Sequence, residues 1–229
     1  MVYGELARFP LYVNSFTACI RYWLSLLRMN DERLPHKAYI MLLELDKAGK
    51  QCWASKVREI LCLTGFSFVW LQQGVGQVKG FLKEFKHRLI DMYIQEWTAS
   101  VRDSKSYDCY RTFKTVFEKE RYILDMDTYC FRVAITQIRL NALPLNNNIY
   151  RYDETERKKL CPFCKTHKED EEHFLFRCPL YRDLRNKFLK QSADLPIHTI
   201  LEASQANHRF NLSRFVFHAI NQPKKALRL

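Results

Sequence analysis

Apolar residues recur every three or four positions along most of this chain, the spacing that puts them on one face of an α-helix. Phe16, Ile20, Trp23, Leu24 and Leu27 keep this period with Arg21 and Arg28 on the other side, which predicts a helix from Asn14 or Ser15 to about Met29. Residues 30–35 break it. A second helix is predicted from Pro35 to Ala48, stopped by Gly49, and a third from Trp53 to Thr64, stopped by Gly65. Phe66 to Gly76 is aromatic with two glycines and reads as a packed loop. The longest pattern runs from Gln77 to Val101. Phe81, Phe85, Leu89, Met92, Ile94 and Trp97 line its apolar side, and Lys79, Lys83, Lys86 and Arg88 cover much of the rest.

Further along, helices are predicted from Tyr107 to Lys119 and from Thr128 to Ala142. The second turns Phe131, Ile135 and Ile138 to one face and Arg132, Thr136 and Arg139 into one polar stripe. Pro144 and the run Asn146, Asn147, Asn148 read as a linker. A helix from about Glu171 to Leu189, interrupted near Pro179, and a last one from Leu212 to Asn221 complete the pattern. The first dozen residues read as extended, and no period-two stretch of useful length predicts a strand. The expected fold is mainly α: a helical lobe over 1–145, then a small zinc-stabilised lobe over 146–229.

Charge adds a class of partner. The chain of 229 residues carries 37 Lys and Arg against 25 Asp and Glu, a net charge of +12, which suits nucleic acid or an anionic surface. No acidic residue follows Glu202, while Arg209, Arg214, Lys224, Lys225 and Arg228 do, so the end reads as a phosphate-contacting arm. No apolar run reaches the ~18 residues of a membrane span, and no signal peptide is recognised. The expected location is nuclear or cytoplasmic, with no membrane partner. In such reducing surroundings the scattered Cys19, Cys52, Cys62, Cys109 and Cys130 are expected to be small buried hydrophobes.

The remaining three cysteines cluster. Residues 161–178 read CPFCKTHKEDEEHFLFRC, in which Cys161, Cys164, His173 and Cys178 have the spacing Cys-x2-Cys-x8-His-x4-Cys. Two thiolates from a tight knuckle and two ligands from a helical segment can close a tetrahedron, and this donor set favours Zn2+ over calcium or magnesium. Four protein ligands leave no position for a catalytic water, so one structural zinc is expected. His167 competes with His173 but follows Cys164 by only three residues, which crowds the knuckle. His173 and Cys178 are five apart and do not share a face of a regular helix, so the turn before Pro179 must loosen or end. Glu169 to Glu172 is expected to be a solvated acidic loop at a helix N-terminus. Tyr181 is expected in the core, with stacking on a base as the alternative. Arg177, Arg182 and Arg185 are expected to form one basic face, with Arg151, Arg157, Lys158 and Lys159 as further candidates for phosphate contacts. Loss of Cys161 is expected to unfold the C-terminal lobe and spare 14–142.

Five stretches resemble the region after the polymerase domain in reverse transcriptases of non-LTR (LINE-like) retrotransposons. They are GELARFPLYV (4–13), WASKVREIL (53–61), FLKEFKHRLIDMYIQEW (81–97), YCFRVAITQIRLNA (129–142) and CPFCKTHKEDEEHFLFRCPLYRDLR (161–185). The last matches that family's Cys-Cys-His-Cys zinc motif, and the family's order is kept. Ala7 stands where the family pattern has Gly. The resemblance implies a non-catalytic fragment that positions element RNA or target DNA beside a polymerase, which could be supplied as a partner. No Tyr-x-Asp-Asp motif, fingers or palm motif is recognised, and Asp125-Met126-Asp127 lacks that context. No endonuclease is recognised either, so the chain reads as a fragment, a truncated copy or a host reading frame derived from an element. The alternative function is a zinc-stabilised protein-interaction module, or a decayed copy with no function.

Overall fold

The computed structural model describes residues 2–104, 110–126, 128–190, 196–202 and 206–222. It is 70% helical with no strand among the described residues, so the chain is mainly α. It divides into two compact units, Arg8–Ala99 and Met1–Ala7 with Ser100–Leu229.

The first unit contains α2 (Leu11–Leu26), α3 (Leu34–Lys47), α4 (Trp53–Leu63), α5 (Ser67–Leu71) and most of α6 (Val78–Asp103). Four of these five lie where the apolar period predicts them. The exception is α5, a single short helix inside the segment expected to be a loop. Gly49 and Gly65 take φ of +75° and +85° and end α3 and α4 in the left-handed turn that glycine adopts without a Cβ clash. Trp23 stacks on Trp70 at 5.6 Å, and its indole N–H donates to the Tyr39 hydroxyl at 3.0 Å. Ile20, Val57, Leu61 and Phe85 close the core around them.

The second unit holds α1 (Val2–Leu6), α7 (Tyr110–Phe113), α8 (Arg121–Asp125), α9 (Tyr129–Arg139), α10 (Asn146–Ile149), α11 (Arg182–Phe188), α12 (Ile197–Glu202) and α13 (Ala206–Asn221). The N-terminal residues are therefore helical rather than extended. Ala7 follows α1 with φ of +47°, so the turn expected of a glycine is made by an alanine. The helix expected from Tyr107 to Lys119 shrinks to α7, with 105–109 outside the described residues. Beyond α7 the Lys114 ammonium is buried and donates to the Glu118 carbonyl at 2.6 Å, so the chain folds back on itself.

A boundary near residue 146 does not appear. One apolar core joins Ile135, Ile138, Leu143 and Leu145 to Cys161, Phe174, Leu175 and Phe215. The helical faces over 121–145 are buried against the cysteine segment and α13, leaving no gap for a linker. Cys62 is exposed and Cys19, Cys52 and Cys130 are half-buried, so the scattered cysteines are less buried than expected; Cys109 lies outside the described residues. Among the described residues no helix is long and apolar enough to cross a membrane.

Candidate metal centre

Cys161 and Cys164 lie on a tight turn. The Cys161 amide donates to the His167 carbonyl at 2.8 Å and the Lys165 amide to the Cys161 carbonyl at 2.9 Å. Lys165 closes the turn with φ of +55°. An isolated bridge between Leu160 and Lys168 holds the two ends of the turn together.

His173 and Cys178 come from the other side. Residues His173–Arg177 form one π-helical turn, and the Cys178 amide donates to the His173 carbonyl, five residues back, at 2.8 Å. Widening the helix by one residue is what brings an i, i+5 pair to the same side. Pro179 follows and starts a short 3-10 turn over Pro179–Tyr181. The loosening that the ligand spacing demanded is thus a single local change of helix type.

Three of the four side chains converge, and Cys178 joins them beside Cys161 alone. The ligand atoms of Cys161, Cys164 and His173 all lie within 4.8 Å of one another and could hold a metal ion. Cys164 Sγ is 3.6 Å from His173 Nε2, and Cys161 Sγ is 3.8 Å from Cys178 Sγ. Cys161, His173 and Cys178 are buried, and Cys164 is half-buried. His167 does not join the cluster of ligand atoms. Its ring stacks on that of His173, with centroids 5.6 Å apart.

The ionisable groups of the site shift in opposite directions. Burial pushes the Cys161 thiol up to about 12, reinforced by the neighbouring Cys178. Partial burial also raises Cys164, but hydrogen bonds from Thr166 and His167 outweigh it and bring that thiol down to about 6. Burial lowers the His173 pKa, and so does His167 beside it, which favours the neutral imidazole that binds metals. A bound cation would replace the thiol protons and ionise the sulfurs.

The surroundings correct several expectations. The acidic run is structural over 169–171, and Glu172 alone is exposed as expected. Glu169 is buried, and its carboxylate accepts from the Asn146 amide at 2.8 Å. Asp170 caps the turn by accepting from the His173 amide at 2.8 Å, and Glu171 accepts from Asn148 Nδ2 at 2.7 Å. Asn146 Nδ2 also donates to the Leu160 carbonyl at 2.8 Å. Residues 146–149 therefore strap the cysteine turn to the π turn. A polar run beside a proline has the same composition whether it is a linker or a strap, so the sequence held no sign of this role.

The expected basic face is not assembled. Arg185 is half-buried, and its Nη2 donates to the Cys178 carbonyl at 2.6 Å, so it braces the centre. Arg177 pairs with Glu172. Of the three, Arg182 alone is exposed with no ion pair among the described residues. Lys158 pairs with Asp153 at 2.6 Å, Lys159 pairs with Glu156 at 3.0 Å, and Arg157 is exposed. Arg151 is half-buried and close enough to Asn141 to hydrogen-bond with it. Tyr181 is core, edge-on to Phe174 at 5.0 Å. The basic tail is also different from the expected arm: Arg209 is buried in α13 and pairs with Asp125 at 2.7 Å, and Arg214 lies 4.1 Å over the Phe210 ring. Lys224, Lys225, Arg228 and Asp127 lie outside the described residues.

Fold and site together define a helical protein with a Cys/Cys/His group able to hold a metal ion. No family model, curated protein or solved structure matches the chain.

Proposed function

We propose that the chain is a zinc-organised, non-catalytic nucleic-acid-binding module that holds element RNA or target DNA beside a reverse transcriptase. The observation that supports the zinc assignment is the grouping of Cys161, Cys164 and His173, with two ligand separations of tetrahedral length. A tetrahedral zinc with Zn–S of ~2.3 Å and Zn–N of ~2.05 Å has S···S edges of about 3.8 Å and S···N edges of about 3.6 Å. The Cys161–Cys178 and Cys164–His173 separations, 3.8 Å and 3.6 Å, match both. Three thiolates and an imidazole favour zinc among the common divalent ions, with Cys161, Cys164 and His173 as three ligands and Cys178, next to Cys161, as the fourth.

Binding of nucleic acid is supported by the net charge of +12, by exposed cations near the centre, and by the resemblance of five stretches to the post-polymerase region of non-LTR reverse transcriptases. Purified protein titrated with single-stranded RNA and DNA at two salt concentrations tests it. Affinity that falls steeply with salt is expected, because each phosphate contact releases a condensed counterion. Salt-independent binding, or none, overturns it.

A protein-interaction module is the second reading. It is favoured by an apolar cleft of about 360 Å³ between α1, α8 and α9, lined by Val2, Leu6, Ile123, Tyr129 and Val133. Polymerase and nuclease activity is not expected of this chain. Primer extension with magnesium that is abolished by Asp125→Asn would overturn that part.

A further inference from the structure

Beside the cysteine turn lies a second cleft, of about 440 Å³, between α10, the short 3-10 turn over Glu156–Lys159 and the knuckle itself. Its size falls within that of small-ligand sites, about 300–1,000 Å³. Three of its lining side chains are cations, Arg157, Lys158 and Lys165, and none is a carboxylate. Lys158 shares its charge with Asp153 at 2.6 Å. Arg157 and Lys165 are exposed and make no ion pair among the described residues, so the cleft keeps two uncompensated positive charges. Tyr150 forms part of the wall with 37% of its surface exposed, and Lys158 Nζ sits 5.9 Å from its ring centroid. Tyr152, two residues on, is 92% exposed.

Lys165 carries a second signal. Its φ of +55° is a conformation that glycine reaches freely and that a Cβ opposes. A lysine at that position adds nothing to the turn that glycine would not supply better. What it does add is a cation among the residues that line the cleft. A residue kept in an unfavourable conformation beside a site points to a use for its side chain.

We propose that this cleft is a nucleotide subsite for single-stranded nucleic acid, in which Arg157 and Lys165 hold backbone phosphate and Tyr150 stacks on a base. The inference rests on the nucleic-acid reading above and gives it a specific location. An aromatic face with cations at its edge is the combination that binds a base and its phosphate together, with little dependence on sequence. The walls are set in advance: Asn146 ties α10 to the Leu160 carbonyl, and the Cys161 amide is bound to the His167 carbonyl. Cys161 belongs to both the metal group and the lining of the cleft, so the centre shapes the subsite.

The test is a fluorescence titration of the full chain with labelled U10 and dT10 oligonucleotides across a salt series. Wild type is compared with Lys165→Gly, Arg157→Ala, Tyr150→Ala and Tyr150→Phe. Each cation removed is expected to weaken binding several-fold and to lower the salt slope by about 0.7. Lys165→Gly is expected to do so with unchanged zinc content and an equal or higher melting temperature, which separates loss of a contact from damage to the fold. Tyr150→Ala is expected to weaken binding with the slope unchanged, and Tyr150→Phe to restore it. A preference for U10 or for dT10 supports the subsite and identifies its source as RNA or DNA. Wild-type binding that none of the variants alters overturns the subsite while leaving the nucleic-acid reading in place. Failure of wild type to bind either oligonucleotide overturns both. Competition by poly-glutamate as strong as that by the oligonucleotides would reassign the cleft to an acidic peptide and overturn the proposal.

Discussion

Glu5 and Arg139 stand 134 positions apart in the chain and form a buried two-point ion pair, Nε to Oε2 at 3.1 Å and Nη2 to Oε1 at 3.3 Å. The same guanidinium reaches Glu120 Oε2 at 2.9 Å, donates to the Leu201 carbonyl and lies 4.5 Å over the Phe113 ring. Tyr122 adds its hydroxyl to Glu5 Oε2 at 2.6 Å. One side chain of α9 thus ties together α1, α7, α8 and α12. Removing one partner of a buried pair leaves the other charge stranded, at a cost of about 3–5 kcal/mol. Arg139→Leu is expected to destabilise by that order in urea denaturation. Glu5→Leu combined with Arg139→Leu is expected to cost clearly less than the sum of the single changes, and strict additivity would show that the two residues act independently.

Ala7 makes a left-handed turn with φ of +47°. Backbone strain there is about 1–2 kcal/mol for an L-residue, and glycine's extra freedom in the unfolded chain offsets part of the gain. Ala7→Gly is expected to stabilise the protein by about 0.5–1 kcal/mol, read as a higher urea midpoint at unchanged slope. Destabilisation would mean that the Cβ makes contacts worth more than the strain.

Loss of the metal is expected to spread further than a small C-terminal lobe. Cys161 and Cys178 belong to the same core as Tyr122, Ile135, Ile138 and Phe215. Cys161→Ser should abolish zinc in metal analysis and expose α9 and α13 to hydrogen exchange along with 161–188. Residues 11–63 should keep their protection, because their core around Trp23 and Leu61 is separate. Exchange confined to 146–190 would restore the two-lobe division at 146.

Arg182 and Arg185, one helical turn apart, are expected to separate in function. Arg185 hydrogen-bonds the carbonyl of Cys178, the proposed fourth ligand, so Arg185→Ala should lower metal affinity by about tenfold, the lower end of the effect of losing an outer-shell partner. Arg182→Ala should leave metal affinity unchanged, and if that exposed side chain meets a phosphate it should reduce the salt slope of binding by about 0.7. Metal competition with a chromophoric chelator and the salt series distinguish the two, and identical behaviour of the two variants would refute the division.

What the sequence determined by itself is local. The 3.6-residue period places α2, α3, α4, α6, α9 and all but the first six residues of α13, because each helix buries one face and the repeat of that face is written in neighbouring residues. The same logic brings out Cys161, Cys164 and His173 as a group able to hold a metal ion and requires the helix to loosen between His173 and Cys178, since such geometry acts over a few residues. Tertiary structure alone decided the rest. Arg139 looked like one member of a polar stripe until Glu5, Glu120 and Leu201 surrounded it. Asn146 and Asn148 looked like a linker until Glu169, Glu171 and the Leu160 carbonyl became their partners. Arg185 looked like a phosphate contact until the Cys178 carbonyl claimed its guanidinium. In each case a polar side chain has the same sequence signature in water and in a buried network. What distinguishes the two is a partner 7 to 134 positions away, and no local pattern records which partner the packed core will bring.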